Sequence, residues 1–177
     1  ELGLMKTPKD NYNLVTMYYN AGQFGKATDL LYAGLKDGSI ESDIKNWQLL
    51  AYSYQQVGQD SQAISVLKEA SKQFPTGQID FQIGQIYSQM DNKTLDAFSY
   101  YTAAVKKGGL EKPHSAYMFL AYTAFELEKY DDALASINKA GETTDGQKDP
   151  QTKRLKTAIE EGIKEREAAK ASVEGKK

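Results

Sequence analysis

Trp47-x2-Leu50-Ala51-x2-Tyr54-x3-Gly58-x4-Ala63-x3-Leu67-x2-Ala70-x4-Pro75 is the stretch whose reading decides the fold. From Trp47 to Tyr54 apolar residues recur every three or four positions, the period of a helix with one face on a core. Gly58 interrupts the pattern, which resumes at Ala63 and runs to Ala70 before Pro75 stops it. Two short helices joined by a tight turn result. The neighbourhood of Ala63 returns around Ala27, Ala97 and Ala133, at steps of 36, 34 and 36 residues. The small side chains are a steric requirement, because such helices approach closely only where Ala or Gly faces the partner. A chain that repeats in this way is a stack of helix pairs.

The other copies keep the anchors. In the first, Leu14, Val15 and Tyr18 are followed by Gly22, Phe24, Ala27 and Leu31; in the third, Ile83, Gly84 and Tyr87 precede Ala97, Tyr101 and Ala104. The third copy carries one extra residue in its Asp91-Asn92-Lys93-Thr94 turn. In the fourth, Tyr117, Leu120, Ala121 and Ala124 precede Tyr130, Ala133, Ile137 and Ala140. This spacing is similar to the tetratricopeptide repeat of about 34 residues. The resemblance implies an all-α solenoid, a right-handed superhelix of antiparallel helix pairs, with units over 8–43, 44–76, 77–113 and 114–147. The loops Lys36–Glu41 and Lys106–Glu111 account for the two longer steps and read as one insertion made twice, each with glycine after a helix.

After Asp149-Pro150 the residues Leu155, Ala158, Ile159, Gly162 and Ile163 form one narrow apolar stripe on a charged helix, expected over 149–172. That stripe either caps the open end of the stack or docks on a partner, and capping is the favoured reading. Fraying is expected from about Ala168, and residues 173–177 read as a disordered tail. Residues 1–7 are too short for a unit and read as the remnant of a longer chain. The start at Glu1, without methionine or signal-peptide pattern, points the same way.

Composition excludes several functions. A net charge of −2 gives no reason to expect nucleic acid or an anionic membrane. Without cysteine there is no disulfide or thiolate chemistry, and no apolar run approaches the roughly 18 residues of a membrane span. His114, the single histidine, follows Pro113 and reads as a surface or turn residue. A zinc site lacks ligands. The acidic stretch from Glu142 to Asp149 fails as a calcium loop, because its first and third ligand positions fall on Gly141 and Thr143. Asn92-Lys93-Thr94 matches a glycosylation sequon by chance. No catalytic residue, cofactor or metal is expected.

The first helices of such a stack line its inner side. Projecting from the core anchors selects Tyr12, Asn13, Thr16 and Tyr19 in the first unit and Gln48, Tyr52 and Gln55 in the second. Phe81, Gln85 and Gln89 follow in the third, and Met118, Tyr122 and Phe125 in the fourth, where Phe119 completes an expected apolar pocket. The surface is rich in amides and aromatic rings and nearly free of charge, which suits a protein or peptide segment. Some of these residues have the alternative of packing on a neighbouring unit or the terminal helix. Tetratricopeptide co-chaperones grip acidic C-termini with inner Lys and Asn; here those positions hold Tyr12, Thr16, Leu49 and Gln48, so that clamp is absent.

Three further segments carry a narrower likeness: Asn13-Leu14-Val15-Thr16-Met17, Gly34 through Glu41, and Lys45-Asn46-Trp47-Gln48-Leu49-Leu50. With Gly84-Gln85-Ile86-Tyr87, Lys107 through Pro113, and Ala116-Tyr117, they resemble tetratricopeptide proteins encoded beside TonB–ExbB–ExbD systems of Gram-negative bacteria. The likeness spans about 11–140. It implies a periplasmic accessory that engages TonB-system components or an outer-membrane transporter, with no catalytic residues. Tyr52-Ser53-Tyr54, Gln78-Ile79-Asp80-Phe81 and the charged tail depart from that pattern. Two other readings stay open: a cytoplasmic or periplasmic assembly adaptor without a TonB link, and the docking arm of a larger enzyme.

Overall fold

The computed structural model describes residues 7–174, and all their regular structure is helical. The expected N-terminal remnant and disordered tail fall largely outside them; Thr7 caps the first helix, and residues 173 and 174 are still helical. The chain divides after Pro75 into two compact units. The first holds α1 (Pro8–Asn20), α2 (Phe24–Asp37), α3 (Ile44–Gln56) and α4 (Asp60–Gln73). The second holds α5 (Gly77–Ser88), α6 (Thr94–Lys107), α7 (Pro113–Glu126), α8 (Tyr130–Glu142), α9 (Thr144–Lys148) and α10 (Pro150–Glu174).

Successive helices pair as α1 with α2, α3 with α4, α5 with α6 and α7 with α8. Ala27, Ala63, Ala97 and Ala133 are each wholly buried, one per pair. Bulk lies beside them: Val15, Leu31, Trp47, Leu50 and Leu67 in the first unit, Ile79, Ile83, Tyr101 and Ile137 in the second. Gly84 shows how tight the fit is, since a Cβ there would lie 2.6 Å from the Tyr101 ring.

Helix starts follow a rule of their own. Three of the four first helices take side-chain caps: Thr7 with Asp10 in a capping box, Asp43 accepting from the Asn46 amide at 2.7 Å, and Thr76 from that of Gln78 at 3.2 Å, while α7 opens on Pro113 without one. The second helices have none, because the turn before each is fixed by the end of its partner. Gln23, Gln59 and Lys129 donate to the carbonyls of Tyr18, Tyr54 and Ala124, and the residue before each bonds three back. This is the Schellman arrangement, which places one residue in the left-handed region. That residue is Gly22 and Gly58 in the first unit but Glu128 (φ 56°) before α8; the longer turn before α6, where Met90 donates to the Tyr87 carbonyl, also puts Asn92 (φ 58°) in that region. For glutamate the conformation costs about 1–2 kcal/mol, of which glycine's freer unfolded chain would return about 0.4–1 kcal/mol. Glu128→Gly is therefore expected to stabilise the second unit by roughly 0.5–1 kcal/mol in urea unfolding. A loss of stability would mean that the side chain holds the turn.

The two loops read as one insertion differ. In the first, Gly38 is left-handed, Ile40 donates to the Gly34 carbonyl at 2.9 Å, and the Ile40 side chain folds onto Gly34. The counterpart of Gly34 in the second is Ala104. Gly108 instead adopts φ 73°, ψ −161°, and its carbonyl accepts the Gly77 N–H at 2.6 Å. Gly109 accepts from Thr76 and Glu111 donates to Gln78, which ties the loop to the start of α5.

α10 lays Leu155 and Ile159 against α8, in one apolar cluster with Met118, Ala121, Ala133, Ile137 and Ala140. Asp149 starts it by accepting from the Gln151 amide at 2.9 Å. His114 is not a surface residue: its Nε2 lies 3.0 Å from Thr152 Oγ1 and 3.5 Å from Asp149 Oδ2, joining α7 to the start of α10. That position is structural.

Candidate functional site

In the first unit, α1 and α3 present the selected residues side by side. Tyr12 and Tyr52 are 37% and 45% exposed, Asn13 is exposed, and Thr16, Gln48 and Gln55 are half-buried. Tyr19 is half-buried between Phe24, edge-on at 5.1 Å, and Tyr52, whose ring centre lies 6.0 Å away. Its phenol is held above the usual range, first by partial burial and then by a hydrogen bond with Tyr52. Thr16 Oγ1 donates to the Tyr12 carbonyl at 3.0 Å, so this hydroxyl is used within the helix. Where α1 begins, Tyr12 borders a groove of about 530 Å³ lined also by Lys9, Glu41, Lys45 and Asn46.

In the second unit two of the expected surface residues are not on the surface. Phe81 is 6% exposed, packed on Tyr101 at 5.6 Å and Phe119 at 5.7 Å. Met118 is 7% exposed and faces α10, with Thr152 Oγ1 3.7 Å from its sulfur. Phe125 is half-buried beside Tyr130 and Gly162 of α10, where a Cβ on Gly162 would meet both rings. The expected pocket of Met118, Phe119, Tyr122 and Phe125 is therefore two faces of one helix. Met118 and Phe125 serve the α10 contact, while Phe119 and Tyr122 are 39% and 43% exposed. The reason is that α7 packs on α6, α8 and α10, so it is apolar on nearly every side.

Gln85 is half-buried and Gln89 exposed. Gln85 lines a shallow groove of about 330 Å³ with Phe81, Phe119, Glu111, Lys112 and Ser115. Glu111 and Lys112 are parts of this site that the projection missed, and the buried Tyr101 supports it through Phe81 and Phe119. The register of the 106–111 loop was the available signal, since it delivers Glu111 and Lys112 to the mouth of the groove.

Residues 114–141 match the family model described as Tetratricopeptide repeat. Among solved structures, MamA is similar with a TM-score of 0.63 at 16% identity, covering 97% of this chain and 96% of that one. YrrB, a TPR protein with an unusual peptide-binding site, gives 0.58 at 18% identity over 82% of this chain and 71% of that one. The fold is a tetratricopeptide α-solenoid. A Protein CTR9 homolog of Arabidopsis thaliana is 24% identical over 167 residues, covering 73% of this chain, and the match spans 15% of that protein's length. At these identities the likeness carries the fold and no specific partner. Among the described residues there is no cluster of three or more metal-ligating side chains. No described helix is long and apolar enough to cross a membrane.

Proposed function

We propose that this chain is a non-catalytic scaffold that holds an extended protein segment on its first-helix faces. We further propose that it serves a TonB-type energy-transduction or outer-membrane transport system in the periplasm. One observation carries the first part. Five aromatic side chains are exposed among the described residues, and four of them, Tyr12, Tyr52, Phe119 and Tyr122, lie on first helices; the fifth is Tyr32. Rings left in water on one class of helix, beside amides that bond a peptide backbone, are what a recognition surface needs. The peptide-binding site named for YrrB is consistent with this use of the fold. The TonB assignment is supported by the sequence resemblance of the loops and first helices.

The test uses the immobilised chain and a Gram-negative envelope extract. Capture of TonB, ExbB, ExbD or a transporter is expected, reduced about tenfold in the Tyr52→Glu, Gln85→Glu variant, whose helical melting should stay near wild type. Equal capture by the variant would remove the first-helix faces from consideration. Specific capture of other proteins only, lost in the variant, would favour the adaptor reading without a TonB link.

A further inference from the structure

The first helices finish alike in three of the four pairs. Asn20, Gln56 and Gln89 hold equivalent positions where α1, α3 and α5 end, and each is a carboxamide; at the end of α7 the residue is Glu126. A carboxylate suits that place least, because the last carbonyls of a helix already form its negative pole. Glu126 is exposed, and α7 has no basic residue in its last turn. Among the described residues Glu126 has no ion-pair partner. Lys112 stands at the opposite end of the helix, about 21 Å away. Lys129, in the next turn, lies over the Phe98 ring at 5.4 Å, and the exposed Glu128 adds to the negative potential. The end of α7 therefore attracts a cation that the chain does not supply.

The ring beside Glu126 points to which cation. Tyr122 precedes Glu126 by one helical turn, so the two share a face. Elsewhere this chain covers its rings with its own cations: a lysine or arginine stands between 5.0 and 6.0 Å from the centres of Tyr18, Tyr32, Tyr87, Phe98 and Tyr130. Tyr122 is 43% exposed, and among the described residues no cation stands over it. The chain also shows what a ring beside a carboxylate holds. Arg166 lies 5.0 Å from the Tyr130 ring, with its guanidinium 3.6 Å from the Asp131 carboxylate. A planar guanidinium stacks on a ring and donates to a carboxylate at once, whereas a lysine ammonium is a compact, strongly hydrated charge that gains less from the pair.

We propose that Tyr122 and Glu126 receive an arginine of the bound segment, the ring beneath the guanidinium and the carboxylate beside it. This rests on the scaffold reading above and narrows it to partners that carry arginine there. The test titrates the isotope-labelled full chain with capped (Gly-Arg)4, (Gly-Lys)4 and (Gly-Glu)4 peptides and follows backbone amide shifts. (Gly-Arg)4 should shift amides from Phe119 to Lys129, (Gly-Lys)4 the same amides less, and (Gly-Glu)4 none of them. Glu126→Gln and Tyr122→Leu should each weaken (Gly-Arg)4 binding about threefold, whereas Tyr122→Phe keeps the ring and should not. Glu167→Gln, which removes an exposed charge on α10, should leave binding unchanged. In urea Glu126→Gln should be at least as stable as the wild type, since its carboxylate has no partner within the chain. Equal binding of (Gly-Lys)4, shifts centred elsewhere, undiminished binding by Glu126→Gln, or a loss of stability in that variant would each overturn the proposal. If it fails while Tyr52→Glu, Gln85→Glu still loses its partner, the scaffold reading survives without the arginine site. If that variant also captures normally, both fall.

Discussion

Tyr101→Ala is expected to destabilise the second unit by about 3–5 kcal/mol, the range for emptying a fully buried aromatic site. Tyr101 is wholly buried, and its ring takes the space that Gly84 leaves by having no side chain. It also touches Phe81 at 5.6 Å and Phe119 at 5.5 Å, so its loss removes the support of the groove between α5 and α7. Urea unfolding gives the magnitude, and hydrogen exchange should show α5, α6 and α7 losing protection together. A change below about 1 kcal/mol would contradict this packing.

The same residue gives a pH test. Its hydroxyl bonds Ser88 Oγ at 3.2 Å, but burial dominates and pushes the phenol up to about 12. In the unfolded chain the group ionises near 10. The folded value is the higher one, so its contribution is complete below pH 10 and is lost as pH rises from about 10 to about 12, where only the unfolded chain releases the proton. Tyr101→Phe keeps the ring and should cost about 0.5–1.5 kcal/mol at neutral pH. Between pH 9 and 11.5 the wild type should lose more stability than this variant. Parallel pH curves would show the phenol to be solvated.

The fold was legible because the repeat rests on a steric requirement that few residues meet. An alanine at 27, 63, 97 or 133 is needed wherever two helices touch, and each of the four is buried without remainder. The capping stripe was legible for the same reason, as Leu155 and Ile159 stand alone on a charged helix. The site was read only in part, and the misses have physical causes. α1 and α3 alternate polar and apolar faces, so projection found Tyr12 and Tyr52 outside. α7 has neighbours on three sides and no polar face, so period alone could not divide Met118 and Phe125 from Phe119 and Tyr122. Phe81 was misplaced because two aromatic partners distant in sequence, Tyr101 and Phe119, draw it inward. Backbone conformation was hidden at Glu128, where the turn imposes a left-handed residue that composition does not announce. Ala104 in place of Gly34 was visible in the sequence, yet its effect on the following loop depends on where Ile40 folds.

Ile159→Asp is expected to undock α10 while leaving α5 and α6 paired. Two kinds of contact hold this helix, and their sizes differ. The charged ones are weak: Arg166 reaches Asp131 at 3.6 Å, but Asp131 is 91% exposed, so the pair contributes less than about 1 kcal/mol. Arg166 above the Tyr130 ring, at 5.0 Å, adds about 0.5–1 kcal/mol. Against these stand Leu155 and Ile159, buried among Met118, Ala133, Ile137 and Ala140. Truncation of Ile159 to alanine should cost about 2–5 kcal/mol, and a carboxylate there adds the penalty of an unpaired buried charge. The total exceeds anything the surface pairs can retain. Hydrogen exchange should then show α10 amides unprotected, with Met118 and Phe125 newly open to solvent and to apolar dyes. High salt, which screens the Arg166 contacts and the His114–Asp149 pair, should leave α10 docked in the wild type. Release by salt would reverse the ranking and make the charged contacts the principal hold, whereas loss of protection throughout the second unit would make α10 part of its core rather than a cover on it.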